Sequence, residues 1–143
     1  MKPWWHLIIT LIALFFYHPS LEFTIAFFLA GVFIDIDHVF DYFLFVKRRK
    51  SLRHFLFEDW CKESKKVVLI FHGYEVILIL FILIKIFQFQ WLNGLFYGSL
   101  LHLFLDVIFN VYVSKNGNKN PLVYSIIYRW FLDFDTRKIK NKK

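Results

Sequence analysis

Several apolar stretches of this 143-residue chain contain ionisable side chains at spacings that chemistry can use. Asp35-Ile36-Asp37-His38 and Asp41 lie in one stretch, His72 and Glu75 in the next, and His102 and Asp106 in the last, with Asn110 a turn beyond; an earlier stretch carries His6. Intervals of three and four residues bring side chains onto one face of a helix. His102/Asp106, His72/Glu75, Asp37/Asp41 and Asp35/His38 all have such intervals. An ionisable group in hydrocarbon costs at least ~2.5–3.5 kcal/mol on insertion scales, so it normally faces a protein interior and has a function there. Nitrogen and carboxylate donors on facing helices are how bundle cores build metal sites. A donor set of imidazoles and carboxylates without thiolate suits Zn²⁺ first, with Mn²⁺ or Fe²⁺ as alternatives. The candidate metal ligands are therefore Asp35, Asp37, His38, His72, His102 and Asp106, with His6 and Asn110 as further candidates and Glu75 or Asp41 as the general base. No basic residue neighbours these carboxylates in the sequence except Lys85, at the far end of its stretch, so a bound cation is the simplest source of compensating charge. The same residues would also serve a non-catalytic metal- or proton-binding transporter subunit. A membrane adaptor would explain the basic tail but not the carboxylates.

The elements that must position these groups are hydrophobic ones. Apolar residues make up 58% of the chain and aromatics 22%, with mean hydropathy +0.49, against an ordinary apolar share of roughly 45–50%. Such an excess belongs in lipid, and the single cysteine, Cys61, excludes a disulfide scaffold. Apolar runs cover 4–17, 21–46, 67–87 and 91–113, and a span needs about 20 residues. The first run is short and closes at His18-Pro19, but no small-residue cleavage site follows it, so it reads as a retained helix and not a signal. Eight Lys and Arg lie in 47–66 and eight follow residue 113, while the connections near 18–20 and 88–93 carry none. Four spans place both basic segments and both termini on the cytoplasmic side, as expected in a plasma (inner) membrane. At a rise of ~1.5 Å per residue, His6, His38, His72 and Asp106 then lie ~3, ~12, ~8 and ~10 Å below the cytoplasmic helix ends, in one half of the bilayer.

The expected fold is thus an all-α membrane protein: a four-helix transmembrane domain over 1–113 with an amphipathic interfacial segment at 51–66, then a basic amphipathic cytoplasmic tail at 114–143. Leu52, Phe55, Leu56 and Trp60 recur at helical spacing in the loop, and Val123, Ile126, Ile127, Trp130 and Phe131 do so in the tail. The partners implied are the bilayer and its anionic headgroups. No nucleic-acid recognition motif accompanies the net charge of +7.

Taken in order, these residues resemble the family of inner-membrane metal-dependent hydrolases described as LexA-binding. That family has a His in its first helix, Pro-Asp-Ile-Asp-His at the end of an apolar run, a His-containing segment, and a Gly-x-x-x-His-x-x-x-Asp helix. The corresponding residues here are His6, Ile34-Asp35-Ile36-Asp37-His38, Phe71-His72-Gly73-Tyr74-Glu75 and Gly98 through His102 to Asp106, a match over about 6–110. Ile34 replaces the family's Pro, and its His-Arg-Gly-x-Thr-His-Ser segment is reduced to His72 with Glu75 in place of Ser, which marks a divergent member. The resemblance implies metal-dependent hydrolysis at an inner membrane. A weaker similarity to zinc-dependent phospholipases C and nucleases, where a His-x-x-x-Asp helix binds zinc, implies a phospholipid-like or other phosphate ester as substrate.

Overall fold

The computed structural model describes residues 3–17, 19–46, 64–114 and 118–141, and every regular element among them is helical. Helix α1 spans Pro3–Tyr17, α2 Leu21–Phe33, α3 Ile36–Phe45 and α4 Tyr74–Phe87. Helix α5, Gln90–Val107, runs on into a π-helical turn at Ile108–Val113 and is followed by two short helices, α6 at Ile126–Phe131 and α7 at Thr136–Asn141. Pro3 opens α1 where a missing N–H costs nothing. Ser20 caps α2, its Oγ accepting from the Phe23 N–H.

The main seam joins α2 to α5. Gly94 and Gly98 of α5 face Ala26 and Ala30 of α2, and a Cβ on Gly98 would fall 2.5 Å from the Phe27 carbonyl oxygen. Small residues four apart let two helix backbones meet in this way. The same interval continues along α5 to His102 and Asp106, so the face that makes the seam also carries candidate ligands. Leu21–Phe45 and Gln90–Val113 are long and apolar enough to cross a membrane by length and composition. Their outer surfaces, like that of α1, present large apolar side chains, among them Phe16, Leu44 and Phe104.

The expected third span, 67–87, is helical only from Tyr74 onward. Residues 67–69 have no regular structure and Ile70–His72 form a 3₁₀ turn, because Leu69 takes a left-handed conformation (φ 42°, ψ 65°) and the local N–H groups bond elsewhere. Val68 and Leu69 donate to Asp41 Oδ2, and Phe71 donates to Asp37 Oδ2. The 21–46 run is two helices, α2 and α3, with Asp35 at their junction.

The tail departs from the single amphipathic helix expected of it. It consists of a 3₁₀ turn at Pro121–Tyr124, then α6, then α7, interrupted by Ser125 and by left-handed Asp133 and Phe134. It also folds back onto the chain. Lys66 and Asp135 form an antiparallel bridge, Val67 N–H donates to the Phe134 carbonyl at 3.0 Å, and Thr136 Oγ1 donates to the Ser64 carbonyl at 2.7 Å. Of the expected interfacial segment, 51–63 lies outside the described residues, and Ser64–Lys66 pair with the tail in place of forming a helix.

Candidate metal centre

Three parts of the chain converge beneath the α2–α5 seam. Helix α5 contributes His102 and Asp106, the α2–α3 junction contributes Asp35, and the 3₁₀ turn contributes His72. His72 Nε2 lies 3.2 Å from His102 Nε2 and 3.2 Å from Asp35 Oδ1, and His102 Nε2 lies 3.3 Å from the same oxygen. Asp106 Oδ2 completes the group at 3.6 Å from His72 Nε2 and 3.9 Å from His102 Nε2. Tetrahedral ligands with bonds of ~2.0–2.1 Å are separated by about 3.3 Å, so these edges match the size of a metal's ligand shell.

The far sides of the rings reinforce the fit. His102 Nδ1 faces the Gly31 carbonyl oxygen at 3.0 Å, which can only accept, so Nδ1 carries the proton. His72 Nδ1 faces Asp37 Oδ2 at 3.0 Å, an oxygen that also accepts from the Phe71 N–H. Both imidazoles thereby turn their Nε2 atoms toward each other and toward Asp35, an arrangement whose crowding of acceptors is relieved by a metal ion between them or by a proton on one Nε2. Orienting bonds to a carbonyl and a carboxylate are also what metal-bound histidines characteristically make. This buried cluster of Asp and His can hold a metal ion. A second triple, Asp37, His38 and His72, also lies within metal-binding reach and shares His72.

The other predicted residues surround this group. His6 stacks on His102 with ring centroids 3.7 Å apart, and its Nε2 donates to Asp106 Oδ1 at 3.2 Å, so it secures a ligand and covers another. His38 tilts against His72, its Nε2 3.3 Å from Asp35 Oδ1. Asp41 is engaged with the Val68 and Leu69 N–H groups. Glu75 does not share a face with His72: its carboxylate accepts from Ser125 Oγ at 2.6 Å and from the Ile126 and Ile127 N–H groups. Asn110 donates to the Tyr124 hydroxyl at 2.7 Å, which ties α5 to the tail and not to the cluster. His6, Asp37, His72, His102 and Asp106 are buried, whereas Asp35 and His38 are only partly so and form the accessible edge.

Arg129 overturns the expectation that no basic group accompanies the carboxylates. It is 2% exposed, lies within the electrostatic reach of Asp37, Glu75 and Asp41, and donates through Nη2 to the Leu69 carbonyl at 3.0 Å. Burial outweighs those three carboxylates and holds the guanidinium below its usual pKa. The sequence did contain a signal, since Arg129 is the one basic residue between 120 and 136, but its position in an apolar tail read as a membrane-surface charge. Gly31 was equally illegible, because its contribution is a backbone carbonyl.

The chain matches no protein-family model, no curated protein and no solved structure.

Proposed function

We propose that this chain is a membrane-embedded, metal-dependent hydrolase of a phosphate ester, with a phospholipid-like phosphodiester as the first candidate substrate and Zn²⁺, ahead of Mn²⁺ or Fe²⁺, as its metal. The observation that carries the reading is the convergence of His72 Nε2, His102 Nε2 and Asp35 Oδ1 within 3.2–3.3 Å of one another, beside Asp106. A divalent ion held by Asp35, His72, His102 and Asp106 would supply a bound water of lowered pKa and a Lewis acid for a phosphoryl oxygen. Asp37 and the Gly31 carbonyl fix the two imidazoles, while His6 orients Asp106 and excludes water from one face of His102. An incoming headgroup meets the edge formed by Asp35 and His38. Glu75 and Asp41 have their carboxylates committed to the tail and to backbone N–H groups, so His38, held beside Asp35 at the accessible edge through its Nε2, is the group left that would take the proton of an attacking water.

In this reading the chain crosses the plasma (inner) membrane four times with both termini cytoplasmic. Helices α1 and α4, of 15 and 14 residues, would cross with local thinning of the bilayer. The basic segments at 47–66 and after 113 would attract anionic headgroups. Exposed Ile127, Trp130 and Phe131 would lie at the interface, where aromatic side chains concentrate. The resemblance to the inner-membrane hydrolases supports metal dependence at His6, Asp35, Asp37, His38, His72, His102 and Asp106, and no residue here supports the LexA-binding part of that description.

One observation favours a second reading. His72 and His102 are each 1% exposed, and four protein donors can close a metal's shell, as in structural sites, whereas catalytic sites keep an open position. A non-catalytic transporter subunit or adaptor would hold its ion in this way. Headgroup release from vesicles of mixed anionic and zwitterionic phospholipids, and cleavage of a simple phosphodiester, separate the two. Metal-loaded wild type is expected to cleave at least one of them. His38→Gln is expected to retain metal while losing roughly 10²–10⁴-fold in turnover. Metal-loaded wild type that cleaves neither substrate would support the holding reading.

A further inference from the structure

His72 is the one ligand of the four-residue cluster that comes from neither a long helix nor the junction between two. It sits in the irregular segment 64–73, whose path depends on partners distant in sequence. From α3, Asp41 accepts from the Val68 and Leu69 N–H groups, and Asp37 accepts from Phe71 N–H and faces His72 Nδ1. From the tail, Arg129 Nη2 donates to the Leu69 carbonyl at 3.0 Å and reaches the His72 carbonyl at 3.5 Å. Leu69 is therefore held at both its N–H and its carbonyl, and it has the left-handed backbone that leucine disfavours. Such a conformation persists only where its surroundings over-determine it.

The clasp is reciprocal. Arg129 reaches from α6 into the His72 segment, and Glu75, two residues past the glycine that ends that segment, accepts from Ser125, Ile126 and Ile127 at the start of α6. Further along, Phe134 and Thr136 bond to Val67, Ser64 and Lys65. Gly73 closes the fit, since a Cβ there would fall 2.5 Å from both Cγ1 and Cδ1 of Ile126. A tail serving only as a surface anchor would leave its arginine in water, whereas Arg129 is buried and its Nε has no partner among the described residues.

We propose that the C-terminal segment 121–136 positions His72 for metal binding through Arg129, so that occupancy of the centre depends on a segment that supplies no ligand. The proposal rests on the metal reading above. Groups that orient a ligand without touching the ion typically account for about 10–100-fold in metal affinity.

The test uses the full-length protein in detergent. Zn²⁺ affinity is read by chelator competition, and Co²⁺ absorption reports the geometry and number of nitrogen ligands. Arg129→Met, which keeps an apolar stem and removes the donors, is expected to weaken binding about 10–100-fold and to alter the Co²⁺ spectrum while helix content stays that of the wild type. Arg129→Lys should recover part of the loss, and Arg137→Ala, on an exposed tail arginine, should bind as wild type. An Arg129→Met protein that is folded and binds with unchanged affinity overturns the proposal, as does an Arg137→Ala protein weakened equally. If Arg129→Met fails to fold, Gly73→Ala decides: displacement of Ile126 should weaken binding, and the Gly73→Ala/Ile126→Ala pair should restore it. Unchanged affinity in Gly73→Ala overturns the proposal. Wild type that binds neither ion overturns the metal centre and the brace with it, whereas wild type and variants that all bind alike overturn only the brace.

Discussion

His102 and Asp106 continue the small-residue face of Gly94 and Gly98 along one helix, whereas His72 hangs in an irregular segment whose bonds to carboxylates and an arginine span 27 to 60 positions in sequence. The first pair is placed by a local period and by two backbones pressed together. His72 is placed by a long-range network of hydrogen bonds, including one around a left-handed leucine. The difference teaches that one centre can combine a rigid half and a conditional half. On the rigid side, disrupting the helix seam removes the site along with the fold. On the conditional side, small polar changes should release the metal and leave the helices standing.

The largest effect should come from the rigid half. Gly98→Leu drives a side chain into the Phe27 carbonyl and Ala30, and is expected to destabilise the protein by about 3 kcal/mol or more, at the upper end for overpacking. A lowered thermal midpoint in detergent would register it, and an unchanged midpoint would show that the backbones are not in contact. Metal removal sharpens the comparison next. At a hundredfold excess over its dissociation constant an ion contributes about 2.7 kcal/mol, and stripping it should accelerate amide exchange at Val68, Leu69 and Phe71 far more than at Gly94 to Leu101. Uniform acceleration would contradict a divided centre. Asp37→Asn should follow, weakening metal binding about 10–100-fold with helix content intact, because it loosens the hold on His72 Nδ1. Full affinity in that variant would remove Asp37 from the account. The smallest effect is expected at Asn110→Ala, which loses the bond to Tyr124 and about 1 kcal/mol of stability without altering metal affinity. A change in affinity there would return Asn110 to the centre.

What the sequence disclosed follows the same division. Intervals of four residues on apolar helices revealed the His102/Asp106 face, and the Asp-Ile-Asp-His cluster revealed candidate ligands though not the junction at Asp35 that divides the 21–46 run. These are local signals, carried within a few turns. The start of the third apolar run misled, because Val67 to Phe71 are as hydrophobic as a helix while the N–H groups of Val68, Leu69 and Phe71 are claimed by Asp41 and Asp37 and that of Val67 by the Phe134 carbonyl. Glu75 misled for a related reason: the interval from His72 implied a shared face, but a helix begins between them and turns the carboxylate toward α6. Arg129 was concealed by its neighbours, since charge in an apolar tail reads as a membrane anchor until the fold shows what covers it.

The account turns on whether the cluster binds an ion at all. The direct measurement is metal content of the detergent-purified full-length protein beside His102→Ala, both expressed with added zinc and washed with a weak chelator. The account predicts about one divalent ion per wild-type chain and a loss of most of it in His102→Ala, because removing that imidazole takes away Nε2, which lies 3.2 Å from His72 Nε2 and 3.3 Å from Asp35 Oδ1. Folded wild type carrying no stoichiometric metal, or His102→Ala retaining the full amount, would contradict it.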